Sequence, residues 1–181
     1  LTSAGYEYIG MDHFAKPDDE LAIAQRNGTL HRNFQGYTTH ADCDLVAMGV
    51  SSISSVAECY SQNAKTLEEY YVAIDAGHLP VIKGITLDDD DVLRREIIQQ
   101  LACHFRLDFS PIARAYKVDF EAYFERELTL LQPMAADDLL VFTEAGFEVT
   151  PRGRFLIRNI CMVFDVSLRK NGVQQRFSRV I

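Results

Sequence analysis

The chain has 181 residues, 48% of them hydrophobic, enough for one medium domain or two small ones around a packed core. Its uninterrupted apolar runs, such as residues 139–142, fall far short of the roughly 18 to 20 residues that a membrane-spanning helix needs. The formal charge of −8 is unevenly placed: residues 151–181 hold seven Lys or Arg against Asp165 alone, net +6, which leaves −14 on residues 1–150. A basic end of this kind suits an anionic partner such as nucleic acid, an acidic protein surface or a polyanionic small molecule, or is simply a solvated helix and chain end.

Residues 1–9 mix Ser, Gly, Glu and Tyr with neither a basic start nor an apolar run, so no secretory signal is visible and the chain reads as soluble and intracellular. It starts at Leu1 rather than Met, as a fragment or a processed product does. Pro17-Asp18-Asp19-Glu20 followed by Leu21, Ile23 and Ala24 predicts a helix start, with acids over the positive end of the dipole, and Asn27-Gly28 predicts its stop. Residues 33–39 and 45–53 are rich in aromatic, β-branched and small residues punctuated by Gly, the pattern of short strands and the loops at their ends. Thr66 opens a helix through Leu67, Tyr70, Tyr71 and Ile74 that stops at Gly77, and residues 80–85 read as a strand.

Thr86 with Asp89 predicts a capping box for the most strongly patterned helix, whose Val92, Leu93, Ile97, Leu101 and Phe105 recur at helical spacing. The acids at 88–91 are explained by the helix dipole without a metal. A further helix is expected over residues 120–131, ending near Pro133. Residues 139–142 and 147–149 then flank Glu144-Ala145-Gly146 as a hairpin. Thr150 caps a last helix, with Pro151 in its first turn, running through Phe155, Leu156, Ile160, Val163 and Phe164. The fold class is therefore α+β, with a change near residue 87 from mixed strand and helix to mostly helix. Helix, helix, hairpin and helix over residues 88–168 resembles a winged-helix unit, a pattern that alone suggests DNA binding.

Cys43, Cys59, Cys103 and Cys161 lie 16, 44 and 58 residues apart, with no CxxC or CxxxCxxC, and read as reduced and mostly buried small hydrophobes. His13, His31, His40, His78 and His104 form no HExxH or HxH, and no GxSxG, P-loop or GxGxxG occurs. Local motifs thus disclose no catalytic residue and no metal ligand.

Longer strings are more specific. Tyr8-Ile9-Gly10-Met11-Asp12-His13-Phe14-Ala15-Lys16-Pro17, then Leu30-His31-Arg32-Asn33-Phe34-Gln35-Gly36-Tyr37-Thr38-Thr39, then Met48-Gly49-Val50-Ser51-Ser52-Ile53-Ser54 are similar to consecutive signatures of the bacterial oxygen-independent coproporphyrinogen III oxidases. The likeness continues through Asn159-Ile160-Cys161-Met162 to Phe177-Ser178-Arg179-Val180-Ile181 and covers nearly the whole chain. It implies a radical S-adenosylmethionine (SAM) enzyme of haem synthesis, acting in the cytoplasm as a monomer with an external electron donor and acceptor. In that family a 5′-deoxyadenosyl radical takes a hydrogen from a propionate, and two decarboxylations turn coproporphyrinogen III into protoporphyrinogen IX. The family's 4Fe-4S cluster is held by a CxxxCxxC motif in the N-terminal half, and SAM occupies the open iron. That motif is absent from these 181 residues.

The resemblance therefore implies a C-terminal portion whose partner is the N-terminal part of the same protein, and which is inactive by itself. Residues 1–87 would be the end of a partial (β/α) radical SAM barrel and residues 88–181 the mainly helical, winged-helix-like domain with its hairpin. Phe34, Gln35 and Ile53 fall on family positions near the cofactor SAM, where an aromatic and an aliphatic side chain can hold the adenosyl portion and an amide can donate and accept. Tyr37, Thr38 and Thr39 are further lining candidates. Two other readings compete. A haem-binding or trafficking relative is disfavoured by the Gly10-Met11-Asp12-His13-Phe14-Ala15 string, and a winged-helix nucleic-acid module is disfavoured by the acidic majority, which repels phosphates.

Overall fold

Gly10, Met11 and Asp12 all take positive φ, at 145°, 44° and 70°, in a computed structural model of the chain that describes residues 1–167. Two successive left-handed residues, Met11 and Asp12, twist the chain in the sense that joins two antiparallel strands tightly. They join β1 (Glu7–Gly10) to β2 (His13–Ala15), paired from Glu7↔Ala15 to Gly10↔His13. The string that carries the family likeness at this end is thus a hairpin turn. By packing, the chain divides into one unit of Leu1–Lys16 with Leu93–Ile181 and a second unit of Pro17–Val92.

In the first unit most of the core surrounds α3 (Asp89–His104), which buries Leu93, Ile97 and Leu101 along one stripe. Its start differs from the expectation. Thr86 ends a strand, and the reciprocal cap is Asp88 with Asp91: the Asp91 N–H donates to Asp88 Oδ1 at 2.9 Å and the Asp88 N–H to Asp91 Oδ2 at 3.3 Å. Then follow β8 (Arg106–Asp108), α4 (Phe109–Tyr116), α5 (Phe120–Tyr123) and α6 (Glu125–Ala136). Helix α4 was not legible, because Phe109 and Ile112 read equally well as strand residues. The expected single helix over 120–131 breaks at Phe124, and Pro133 lies inside α6 rather than at its end.

β9 (Leu140–Phe142) and β10 (Gly146–Val149) form the expected hairpin, and β8 adds to it in the antiparallel order β8-β10-β9. Gly146 is required by this pairing, since a Cβ there would lie 2.0 Å from the Leu107 carbonyl oxygen. Thr150 caps as expected: its Oγ1 accepts from the Gly153 N–H at 3.0 Å and donates to the Asp138 carbonyl at 2.7 Å. The helix it opens is short, however. α7 (Pro151–Arg154) stops before Phe155, and α8 (Ile157–Phe164) starts anew, burying Ile157, Ile160, Cys161, Val163 and Phe164. Gly153 lets α7 approach the sheet, because a Cβ there would stand 1.8 Å from the Leu139 carbonyl oxygen.

Phe124, Phe147, Phe164, Leu107, Leu131 and Ile157 are fully buried, each contributing about 1.5 to 3 kcal/mol by leaving water. Within this core sits a charged pair. Arg94 Nη1 donates to Glu127 Oε1 at 2.9 Å and to the Phe164 carbonyl at 3.3 Å, with the guanidinium 5.1 Å from the Phe124 ring centroid. Helices α3, α6 and α8 are tied together by this one side chain.

His104, in the last turn of α3, has a buried Nδ1 with no hydrogen-bond partner among the described residues. Burial, then the Arg106 charge, lower its pKa from the ordinary 6.5, against an opposing pull from Glu96. A lowered histidine pKa means the unfolded chain binds the proton first. The His104 contribution to stability is therefore present above pH 6.5 and lost as pH falls from there through the folded value. Denaturant unfolding between about pH 7.5 and 5.5 should show a smaller loss of stability in His104→Asn than in the unaltered chain. An equal loss in both would remove His104 as the cause.

The second unit has a smaller core. Helix α1 (Glu20–Asn27) starts and stops where the sequence indicates: Asp19 Oδ1 accepts from the Leu21 N–H at 2.9 Å, and Gly28 closes it at φ 70°. Hairpin β3 (His31–Asn33) and β4 (Gly36–Thr38) follows, then a sheet of β5 (Ile53–Val56), β6 (Cys59–Asn63) and β7 (Val81–Thr86) in that antiparallel order. Helix α2 (Leu67–Asp75) connects β6 to β7 and is capped by Thr66, whose hydroxyl accepts from the Glu69 N–H at 3.3 Å. Within residues 45–53, expected to hold short strands and the loops at their ends, Leu45 bridges to Ser55 and Ile53 begins β5, while Gly49 and Ser51 between them take positive φ. Cys43 and Cys59 are exposed and Cys103 and Cys161 buried, none of them in a disulfide, so half of the cysteines depart from the buried reading. The basic positions Arg169, Lys170, Arg176 and Arg179 lie outside the described residues.

Candidate functional site

Phe34 and Gln35 are the two central residues of the β3–β4 hairpin, between the paired residues Asn33 and Gly36. Asn33 builds that turn. Its Oδ1 accepts from the Gln35 N–H at 2.8 Å and the Gly36 N–H at 3.2 Å, and Gly36 takes φ 143°, a conformation that favours Gly. The turn is made by main-chain groups and Asn33, so both the Phe34 ring and the Gln35 amide remain outside it, exposed.

Ile53 is paired with Gln62, and Ser55 with Tyr60. Directly paired residues and those two apart share a sheet face, so Ile53 and Tyr60 emerge on the same side of β5–β6. Phe34 reaches that side. Its ring meets Tyr60 edge to face, with centroids 5.0 Å apart at 88°. Two of the three candidate positions are thus brought to one face and Gln35 lies next to Phe34 in the turn, exposed, while Tyr37, Thr38 and Thr39 continue along and beyond β4, half-buried.

Two residues that sequence reasoning missed organise this region. Asn63, buried, donates through Nδ2 to the Gly49 carbonyl at 3.0 Å and Ser52 Oγ at 3.1 Å and so pins the loop that leads into Ile53. Tyr60 supplies the surface on which Phe34 rests. The alternation of Tyr60, Gln62 and their neighbours could have marked a strand, whereas nothing local marks Asn63 as a clamp. A second anchor is Tyr70, whose Oη accepts from the Gly49 N–H at 3.1 Å.

A 4Fe-4S cluster needs three thiolates converging on one point. Among the described residues no group of three or more His, Cys, Asp or Glu is placed to hold a metal ion, and these residues do not fit the cluster. An adenosyl group is a better match to what is present: an exposed ring backed by Tyr60, a branched aliphatic chain on the same face and a free-standing amide. Among the described residues no helix is long and apolar enough to cross a membrane.

Similarity to known proteins extends over the whole chain. Residues 87–156 match the family HemN C-terminal domain. The whole chain is 54% identical over 181 residues to an oxygen-independent coproporphyrinogen III oxidase of Escherichia coli (strain K12) and 52% identical over 185 aligned residues to one of a Synechocystis strain, covering 40% of each. A solved structure of coproporphyrinogen III oxidase (HemN) from Escherichia coli, described as a radical SAM enzyme, superposes with a TM-score of 0.87 at 55% identity, over 93% of this chain and 39% of that one. Residues 87–156 thus match a HemN C-terminal domain, within a mixed helix-and-sheet chain that resembles part of the solved HemN structure. Over its whole length it is similar to oxygen-independent coproporphyrinogen III oxidases, and it spans about 40% of the length of these relatives.

Proposed function

We propose that the chain acts as the C-terminal portion of an oxygen-independent coproporphyrinogen III oxidase, which converts coproporphyrinogen III to protoporphyrinogen IX by oxidative decarboxylation of two propionates. The observation that carries this reading is the 54% identity to the Escherichia coli enzyme across every residue of the chain. In the complete enzyme SAM and a 4Fe-4S cluster supply the radical chemistry, with cluster thiolates contributed by the portion that these 181 residues do not span. This chain's share is to hold SAM: Phe34 and Ile53 cover its apolar surface and Gln35 bonds to it.

The same reading takes residues 1–87 as the end of a partial barrel and residues 88–181 as a winged-helix-like domain, for which the β8-β10-β9 sheet set among helices α3 to α8 is support. It takes the enzyme as a cytoplasmic monomer that exchanges electrons with an external donor and acceptor and binds no nucleic acid and no membrane. The isolated portion is expected to be inactive and to reconstitute no cluster.

Gln35→Ala in the full-length enzyme tests the site. SAM binding should weaken by about 1 to 3 kcal/mol, the effect of leaving a buried polar atom of the cofactor without its partner, while cluster absorbance stays unchanged. Equal SAM affinity and equal deoxyadenosine yield would take Gln35 out of the site.

A further inference from the structure

Among the described helices of eight or more residues, α2 alone has no buried residue. Its nine residues are too few for a stable helix in water, where a helix of this length depends on packing of an apolar stripe. The stripe exists and is bare: Leu67, Tyr71 and Ile74, at i, i+4 and i+7, are 65%, 56% and 43% exposed. Glu68, Glu69 and Asp75 border it, and the helix contains no Lys or Arg. The next element repeats the pattern, since β7 is exposed along its whole length, carries Val81, Ile82 and Ile85, and is an edge of its sheet.

We infer that the outer stripe of α2, continued in sequence by the β7 edge, is a docking surface for the part of the oxidase that lies outside these 181 residues. The inference rests on the functional reading above. The relatives have about 60% of their length beyond what this chain covers, ample to bury the stripe. A second copy is a poor occupant, because symmetric pairing would bring Glu68, Glu69 and Asp75 of both copies together, in a unit that already holds thirteen Asp and Glu against four Lys and Arg. The segment that fits is apolar, with Lys or Arg facing Glu68 and Asp75.

Thiol alkylation read peptide by peptide, to separate the native Cys43 and Cys59, tests it with Tyr71→Cys, Ile74→Cys and, on the opposite side of the helix, Ala76→Cys. The thiols introduced at positions 71 and 74 should react at least about tenfold slower in the full-length oxidase than in the 181-residue chain, and the one at position 76 at similar rates in both. Similar rates at all three overturn the inference, as does protection in the 181-residue chain that grows with its concentration, which assigns the stripe to a second copy. In the full-length enzyme alone, Tyr71→Asp should lower the melting temperature, and an unchanged value again overturns it. Deoxyadenosine formation by the unaltered enzyme separates the two readings. Turnover without protection defeats the docking surface, and protection without turnover defeats the enzymatic reading.

Discussion

Arg94→Ala should lower the unfolding free energy by about 3 to 5 kcal/mol, because it leaves the Glu127 carboxylate buried without its guanidinium partner. Both side chains are nearly sealed from water, 12% and 4% exposed for Arg94 and Glu127, so solvent cannot replace the lost partner. The loss also frees the Phe164 carbonyl from its bond to Arg94 and so loosens the end of α8 against α3. Urea unfolding at neutral pH measures it. Arg94→Met combined with Glu127→Leu should recover most of the deficit, since an apolar pair of similar volume carries no desolvation penalty. A single Arg94→Ala variant within about 1 kcal/mol of the parent, the range of exposed ion pairs, would show that the pair is hydrated in solution.

Phe124→Ala should cost about 3 to 5 kcal/mol, the range for emptying a buried aromatic site. Phe124 has no exposed surface and stands where α5 gives way to α6, with the rings of Phe120 and Phe164 at 4.7 and 5.7 Å and the Arg94 guanidinium on its face. Loss of the ring removes the contacts that hold three helices and the support under the ion pair. Because the two residues touch, the Arg94→Ala and Phe124→Ala effects should sum to more or less than the double variant by at least about 0.5 kcal/mol. Strict additivity would mean that the cation and the ring do not act on one another.

Local chemistry made α1 and its caps readable, since Asp19 and Gly28 each do one job that the neighbouring sequence cannot alter. The Thr150 cap and the β9–β10 hairpin were readable for the same reason. What failed depended on distant residues. Thr86 looks like a cap only until β6 claims it as the strand partner of Cys59, which passes the capping task to Asp88 and Asp91. The pattern through Phe155 suggests one last helix, yet Phe155 stays exposed beside Tyr8, from the other end of the chain, and the helix restarts at Ile157. At the site, the resemblance pointed to Phe34, Gln35 and Ile53, but the pairing that puts Phe34 and Ile53 on one face runs through Tyr60. The turn and loop clamps, Asn33 and Asn63, act mostly through main-chain groups, which carry no sequence signature.

If the proposed SAM-dependent decarboxylation of coproporphyrinogen III is what this chain serves, the full-length protein turns over under anaerobic conditions. With reconstituted cluster, SAM, a reductant, an electron acceptor and coproporphyrinogen III, it should form protoporphyrinogen IX together with 5′-deoxyadenosine and methionine. An intact cluster that binds SAM but yields no decarboxylated tetrapyrrole under these conditions would contradict the proposal.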